Sequence, residues 1–244
     1  MKNIQADIDK RVEFIKSILT DSNSQGIVYG NSGGKDSALV GILCKMATEN
    51  VLGVMMPCGS KRNYIEDIDD AMEVANEFNI ETITVDLSDI KNSLIGKIDN
   101  TIQLTDMARA NISPRLRMTT LYAIALSRNS LVAGTGNRSE AYMGYFTKWG
   151  DGAHDFNPIA DLTVIEIYEM LAFLDAPMSV RTKAPSAALF DGQTDELEMG
   201  ITYEQIDEYL LEGKADPEIK DKIEQFHAKS EHKRNLPIVF KGWF

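Results

Sequence analysis

The sequence contains only two cysteines among its 244 residues, which leaves no basis for a disulfide framework or a cysteine-rich zinc site. Cys44 lies in an apolar helical pattern and is expected in the core. Cys58 follows Met56-Pro57 near the end of a predicted strand, where it could be an exposed thiol, and it is assigned no role. Long apolar runs are also missing, because none approaches the roughly 20 residues that a membrane-spanning helix needs. The first residues lack the apolar segment of a signal peptide. The cytoplasm is therefore the expected compartment.

Positive charge is scarce as well. The chain carries 25 lysine and arginine residues against 37 aspartate and glutamate residues, a formal net charge of −12. Proteins that bind nucleic acid usually present a basic face, since neutralising phosphates provides much of their affinity. The short basic cluster His232-Lys233-Arg234 is a poor substitute for such a face. Binding to duplex DNA or tRNA is therefore disfavoured.

What is present is an alternation of strand-like and helical patterns. Short apolar, strand-like runs occur at Ile27–Gly30, Val51–Met56, Thr82–Leu87 and Leu131–Gly134. Helical spacing occurs over residues 6–20, 36–48, 64–78, 104–128 and 163–174, while residues 135–157 and 177–202 are polar and irregular. This alternation predicts an α/β fold, an open, mostly parallel twisted sheet with helices on both faces. The length fits a single domain over residues 1–244.

A glycine-rich loop follows the first predicted strand and precedes a helix. It reads Gly30-Asn31-Ser32-Gly33-Gly34-Lys35-Asp36-Ser37, which is neither a Walker loop nor the G-x-G-x-x-G of a dinucleotide fold. Backbone N–H groups at a helix start favour a phosphate, and the hydroxyls of Ser32 and Ser37 can donate to it. The Asp36 carboxylate would repel phosphate unless a metal ion lay between them. A plain strand-to-helix turn is the alternative reading.

A second polar segment, Thr135–Glu140, follows the fourth predicted strand. It is therefore expected at the same edge of the sheet as the glycine loop, where ligands of open α/β sheets bind. Glu140 is a candidate partner of Asp36 in a magnesium site, since Mg²⁺ takes a few carboxylates together with phosphate oxygens and water. Taken alone, Glu140 reads better as an acidic residue favoured at a helix start.

The loop S-G-G-x-D-S resembles the pyrophosphate loop of the N-type ATP pyrophosphatase, or PP-loop, superfamily. The later segments resemble the ammonia-dependent NAD synthetase family in their order along the chain. They are Glu140–Gly152, Asn157–Leu162, Lys183–Ala187, Asp191–Glu196 and Glu231–Arg234. The resemblance implies a Rossmann-like sheet of the adenine nucleotide alpha hydrolase type. It also implies ATP-dependent amidation of deamido-NAD with ammonia to NAD through an adenylated intermediate, with release of AMP and pyrophosphate.

The resemblance implies a role for particular residues. ATP contacts are expected from Gly30, Asn31, Ser32, Gly33, Gly34, Lys35, Asp36, Ser37, Thr135 and Ser186, and Mg²⁺ ligands from Asp36 and Glu140. Deamido-NAD contacts are expected from Arg115, Lys148, Asp155, His232 and Lys233. Asp36, Lys148 and Asp151 are the expected catalytic residues, Asp151 as a group that orients or deprotonates ammonia. In isolation, Arg115 and Lys148 would read as solvated cations and His232 as a helix cap.

The resemblance also carries expectations about assembly. It implies a homodimer with the active site near the interface, and the apolar residues around Met107 and Leu116 fit either a subunit contact or the core. A glutaminase domain is not expected, so free ammonia is the expected nitrogen donor. Residues 187–200 are expected to form a mobile lid over the bound substrates.

One position departs from the family pattern. The family commonly has a lysine that contacts ATP after Leu-Thr, where this chain has Val164. If that contact were simply lost, Val164→Lys would lower the KM for ATP. Two other functions compete with amidation: a PP-loop enzyme that acts on RNA, and a nucleotide sensor without chemistry. The net charge disfavours the first, and the pair of acids disfavours the second.

Overall fold

The computed structural model, which describes residues 3–59, 66–182 and 195–240, has a four-stranded parallel sheet at its centre. The strands are β1 (Gly26–Gly30), β2 (Val51–Met55), β3 (Glu81–Thr84) and β4 (Ser130–Ala133). Their order across the sheet is β3-β2-β1-β4. Ile27 of β1 lies opposite Val51 on one side and Leu131 on the other. The first three strands are thus added in one direction, and β4 is added on the other side of β1. Open α/β sheets bind ligands at such a reversal of strand order, which here lies between β1 and β4.

Helices connect the strands and complete the described part of the chain. They are α1 (Ile4–Ser22), α2 (Lys35–Ala47), α3 (Glu66–Glu77), α4 (Ser88–Asp99), α5 (Asp106–Ala110), α6 (Ile112–Ser127), α7 (Arg138–Met143), α8 (Val164–Phe173), α9 (Met178–Thr182), α10 (Asp195–Met199), α11 (Tyr203–Glu212), α12 (Pro217–Lys229) and α13 (Glu231–Arg234). In the described ranges, none of them combines the length and apolar character needed to cross a membrane.

The side chains of β1 alternate between two apolar layers. Ile27 and Tyr29 join a core with α1, α2 and α8, whereas Val28 joins a second core with residues of β2 and α6. Alternate side chains of a strand point to opposite faces of the sheet, so both faces of β1 are covered. This arrangement confirms the predicted α/β class.

The arginine of α1 fixes this helix to a segment that follows the sheet. Arg11 is 8% exposed and donates hydrogen bonds to both carboxylate oxygens of Asp161 and to the carbonyl of Pro158. It also pairs with Asp7 one turn earlier in α1. Arg11 therefore joins the first helix to residues almost 150 positions later in the chain.

Several features differ from the sequence-based expectations, among them the end of β3, the segment 104–128 and the burial of Cys58. The third strand ends at Thr84 rather than Leu87, because beyond Thr84 only isolated N–H groups of Val85 and Leu87 still bond to the Met55–Pro57 backbone. The long helix expected over residues 104–128 is two helices, α5 and α6, which meet at Asn111. Cys58 is 3% exposed and lies in the second core, so the prediction of an exposed thiol was wrong. Cys44 is buried as expected.

Candidate active site

A cavity of about 640 Å³ opens at the carboxyl ends of β1 and β4. The glycine loop after β1 lines one side, and Gly134 and Thr135 after β4 line another. Residues 143–147, Asp151 and Lys233 complete the far wall. The structure thus brings two sequence-predicted regions to one site: the loop of residues 30–37 and the polar segment that begins at Thr135.

The glycine loop is shaped by its contact with α3. Gly33 has a φ of +70°, and a Cβ at this position would lie 2.2 Å from the carbonyl oxygen of Asp67. Only glycine adopts this left-handed conformation readily and, without a Cβ, leaves room for the Asp67 carbonyl. Helix α2 begins directly after the loop, and no side chain caps its first N–H groups. Those N–H groups are therefore suited to bind an anion.

The hydroxyl groups of the loop are already oriented toward one another. Ser37 Oγ lies 3.1 Å from Ser32 Oγ and accepts a hydrogen bond from the Ser32 N–H. Ser32 is exposed, whereas Ser37 is 2% exposed. The pair therefore presents one accessible hydroxyl to the cavity and supports it with a buried one.

Asp36 and Glu140 are joined by Asn137, a residue that the sequence analysis did not select. Asn137 is fully buried and donates from its amide to Asp36 Oδ1 at 3.0 Å. It also forms a capping box with Glu140, in which each side chain bonds to the backbone N–H of the other residue. The N-x-x-E pattern at the start of α7 was the sequence signal for this arrangement.

The Asp36 carboxylate disfavours the charged form of Glu140. Burial of Glu140 at the floor of the cavity raises its pKa, and the negative charge of Asp36 raises it further. A divalent cation between the two groups would relieve this repulsion. Two carboxylates beside an anion-binding loop match the ligands that Mg²⁺ prefers, so these residues fit the metal.

Lys35 places a positive charge beside the two carboxylates of Asp36 and Glu140. Its side chain is 4% exposed, and its ammonium group lies 2.8 Å from Asp36 Oδ2. Burial alone would lower the pKa of Lys35, but the carboxylates of Asp36 and Glu140 raise it above its ordinary value. The ammonium group therefore remains charged, although it is buried.

Asp151 lies at the opposite wall of the cavity. It accepts a hydrogen bond from the Thr147 N–H at 3.0 Å, and its carboxylate is accessible through the cavity. The surrounding protein raises the pKa of Asp151, while Arg117 and Lys233 oppose that shift with their positive charges. Arg117 lines the cavity and donates from Nε to the Met56 carbonyl. Arg117 was not selected from the sequence, although it lies two residues after Arg115, which was selected.

The C-terminal helices hold the loop that carries this wall. Lys233 donates to the carbonyls of Gly144 and Phe146, at 2.7 and 2.8 Å. Arg234 donates to the carbonyls of Ala141 and Tyr142. Gly144 has a φ of +68°, and a Cβ there would lie 2.0 Å from the Ser230 side chain. The backbone of this loop thus lies directly against the last turn of α12.

The remaining residues expected to contact deamido-NAD lie outside the cavity lining. Arg115 is exposed and donates to the Lys148 carbonyl, and Lys148 in turn bonds to the carbonyls of His232 and Asn235. Arg115, Lys148 and His232 therefore form a connected basic ridge on the surface. Asp155 is separate from this ridge, because it accepts the Val132 N–H at 2.7 Å and the Tyr122 hydroxyl at 3.2 Å.

Two expectations concern residues of the second half that lie wholly or partly outside the described ranges. Ser186 lies outside the described residues, as do residues 187–194 of the expected lid. The rest of that lid is α10, where Asp195 is 3% exposed and accepts the Tyr203 hydroxyl at 3.0 Å. Asp195 also lines the cavity.

Comparison with known proteins gives a consistent family. The family model described as NAD synthase matches residues 7–237. The NH(3)-dependent NAD(+) synthetase of Carboxydothermus hydrogenoformans is 45% identical over 240 residues, which cover 97% of this chain and 98% of that protein.

Two solved structures extend the comparison. NMN synthetase from Francisella tularensis superposes with a TM-score of 0.92 at 33% identity, covering 98% of this chain and 99% of that one. NH3-dependent NAD synthetase from Campylobacter jejuni, solved with a nitrate ion, has a TM-score of 0.79 at 33% identity and the same coverage.

Proposed function

The chain belongs to the NAD synthase family, and from this premise we propose that it catalyses the ATP-dependent amidation of deamido-NAD with ammonia. The products are NAD, AMP and pyrophosphate, and the intermediate is an adenylated nicotinate carboxyl group. The observation that carries the proposal is the shared cavity, in which the glycine loop faces Asp151 and Lys233. One cavity can therefore hold both the phosphates of ATP and the carboxyl group that they activate.

The glycine loop binds the phosphates of ATP in this proposal. The first N–H groups of α2 and the hydroxyl of Ser32 donate to phosphate oxygens, and Thr135 contacts ATP from the end of β4. When the α–β bond breaks, these groups hold the leaving pyrophosphate. Ser186 is assigned a further ATP contact on the family resemblance alone.

Charge repulsion is the main barrier to adenylation. At about 4 Å and an effective dielectric near 20, two like unit charges repel by roughly 4 kcal/mol. Mg²⁺ bound by Asp36 and Glu140 would neutralise phosphate charge at this point. The protein contributes fixed N–H groups and the cation of Lys35, which need no reorganisation during the reaction.

Asp151 is the proposed group that receives ammonia. Because the surrounding protein raises its pKa, its carboxylate is a stronger base than an ordinary aspartate, while the Thr147 N–H keeps it in one orientation. It can therefore orient ammonium or take a proton from it before nitrogen attacks the adenylate. Lys148 is proposed to act in catalysis and in deamido-NAD binding from the adjoining ridge.

We further propose that the basic ridge binds the more distant part of deamido-NAD. Arg115, Lys148 and His232 are connected by hydrogen bonds, and Lys233 lies between this ridge and the cavity. The cations of Arg115 and Lys148 suit the pyrophosphate of a dinucleotide. Asp155 is assigned the same substrate from the family resemblance, and its bonds to β4 would fix its position.

A homodimer is proposed on the basis of an uncovered apolar surface. Helix α4 has no buried residue, and its Ile90 is 53% exposed. On the neighbouring α6, Leu126 is 86% exposed. A second copy of the chain would cover these side chains, and Leu126→Asp should shift the sedimentation coefficient of the protein to that of a monomer. We also propose that the chain acts in the cytoplasm, as one catalytic domain.

A second candidate product is NMN. The observation that favours it is the TM-score of 0.92 with NMN synthetase, against 0.79 with the Campylobacter NAD synthetase at the same identity. The substrate would then be the mononucleotide of nicotinate rather than the dinucleotide. The chemistry at the carboxyl group is the same for both substrates.

One assay tests both candidates. The protein is incubated with ATP, Mg²⁺, ammonium and either deamido-NAD or nicotinate mononucleotide, and the nucleotides are separated by chromatography. Equal amounts of NAD and AMP from the dinucleotide, with a higher kcat/KM than the mononucleotide gives, support the proposal. A higher kcat/KM for the mononucleotide supports the second candidate, and no AMP from either substrate contradicts both. Asp36→Asn should abolish the reaction, whereas Asp106→Asn, which alters an exposed first-turn acid of α5, should not.

A further inference from the structure

Lys35 occupies the variable position of the loop, between Gly34 and Asp36. It is the first residue of α2, and its side chain is 4% exposed. A lysine is rarely buried without a partner of opposite charge, because desolvation of the ammonium group is costly. The position of Lys35 therefore depends on the acids around it.

Groups from three other helices, α7, α8 and α11, surround the Lys35 ammonium. Its direct partner is Asp36 Oδ2 at 2.8 Å, and the ring of Tyr203 in α11 lies 5.7 Å away. The other ionisable groups that act on it are Glu140 in α7, Tyr168 in α8 and Asp207 in α11. Asp195 in α10 acts on Glu140. Asp207 already accepts the Ser139 hydroxyl and the Ile165 N–H, and Asp195 accepts the Tyr203 hydroxyl.

Both oxygens of Asp36 are thus occupied. Lys35 holds Oδ2, and the amide of Asn137 holds Oδ1 at 3.0 Å. A metal ion that binds Asp36 has to share an oxygen with one of these two donors, and the nearby positive charge of Lys35 repels it. The phosphates of ATP change this balance, because they offer acceptors to Lys35 and ligands to the metal.

We propose that Lys35 is an internal counter-ion that competes with a free divalent cation for Asp36. It neutralises part of the Asp36–Glu140 charge when nucleotide is absent, and it keeps the affinity for metal alone low. Metal therefore binds tightly only as its complex with ATP. This inference rests on the proposed assignment of Asp36 and Glu140 as the metal ligands.

The test measures metal binding rather than catalysis. Mn²⁺ is titrated into the nucleotide-free protein, and the free ion is measured by electron paramagnetic resonance. Lys35→Met keeps the bulk of the side chain and removes its charge, so it should bind Mn²⁺ at least about tenfold more tightly than the wild type. Its affinity for the preformed complex of Mn²⁺ with α,β-methylene ATP, measured by calorimetry, should not improve. Lys45→Met is the matched control on the same helix, since Lys45 pairs with Glu49 at the surface and should leave both affinities unchanged.

The outcomes separate this inference from the metal site itself. If Lys35→Met binds Mn²⁺ no more tightly than the wild type, or gains as much for the nucleotide complex, the counter-ion role is wrong. Asp36→Asn should lose Mn²⁺ binding; if it does not, the proposed metal site is wrong instead. Circular dichroism checks the fold of each variant. Lys35→Gln, which retains a polar side chain, provides the same comparison if Lys35→Met does not fold.

Discussion

Gly33→Ala is expected to damage the site far more than the fold. Alanine in the left-handed conformation of Gly33 costs about 1–2 kcal/mol of the free energy of unfolding. For a chain of this size that corresponds to a Tm lower by about 2–8 °C. The new Cβ would also lie 2.2 Å from the Asp67 carbonyl, a contact that neither backbone can accommodate in place. The loop or the start of α3 has to move by about 1 Å.

A displacement of that size at a phosphate-binding loop is expected to lower kcat/KM for ATP on the order of 100-fold. Pyrophosphate release measures the rate, and differential scanning fluorimetry measures the Tm. Gly136→Ala is the matched control, because Gly136 lines the same cavity and its added Cβ would meet no atom within 4 Å. A Gly33→Ala enzyme with kcat/KM within threefold of the wild type would refute the assigned role of the loop contact.

Three further changes have defined outcomes. Arg11→Met should lower the free energy of unfolding by about 1–3 kcal/mol in denaturant titrations, since it removes charged hydrogen bonds to Asp161 and to a carbonyl. The hydrogen bond and charge of Arg11 lower the pKa of Asp161. The contribution of this ion pair to the free energy of unfolding is therefore fully present above the ordinary aspartate pKa of about 3.9, and it is lost as the pH falls through the lowered pKa of Asp161. The stability difference between wild type and Arg11→Met should therefore stay constant above about pH 5 and narrow at lower pH; a difference that widens in acid would contradict this account. Asp151→Asn should reduce kcat/KM for ammonium on the order of 100-fold and leave the affinity for α,β-methylene ATP within threefold of the wild type. The variant should also lose the rise in rate with pH that a base of raised pKa gives. An unchanged pH profile would exclude Asp151 as that base. Val164→Lys should destabilise the fold by about 2 kcal/mol or more in the same titrations, because Val164 is 3% exposed in an apolar cluster. A fully stable variant with a lower KM for ATP would contradict this expectation and show that the lysine side chain reaches the nucleotide.

The sheet was predictable because its strands carry a strong local signal. The observed bounds of β1, β2 and β4 lie within one residue of the apolar runs, which are flanked by glycine or polar turns. β3 was less well defined because it is an edge strand whose side chains are mostly exposed. Helix α4 was not predicted, since it buries no residue in the single chain and so lacks the apolar stripe that periodicity detects.

The site was only partly predictable. Residues within one motif, such as the loop with Asp36, can be recognised because their spacing along the chain is short. Asn137 and Arg117 act through partners 101 and 61 residues away, so their contacts follow from the packing of α6 and α7 and not from a local pattern. The identity of Val164 was visible in the sequence, but its burial among apolar side chains was not.

The loop that carries Asp151 is held by side chains of Lys233 and Arg234, and this has a consequence for the order of synthesis. The glycine loop and the sheet are translated by residue 133, about 100 residues before those two cations leave the ribosome. The strands and the glycine loop are therefore synthesised well before the cavity wall that carries Asp151 can be secured. ATP would meet an incomplete site during that interval. The nascent chain can therefore transfer nitrogen only after α13, the helix that carries Lys233 and Arg234, has been translated.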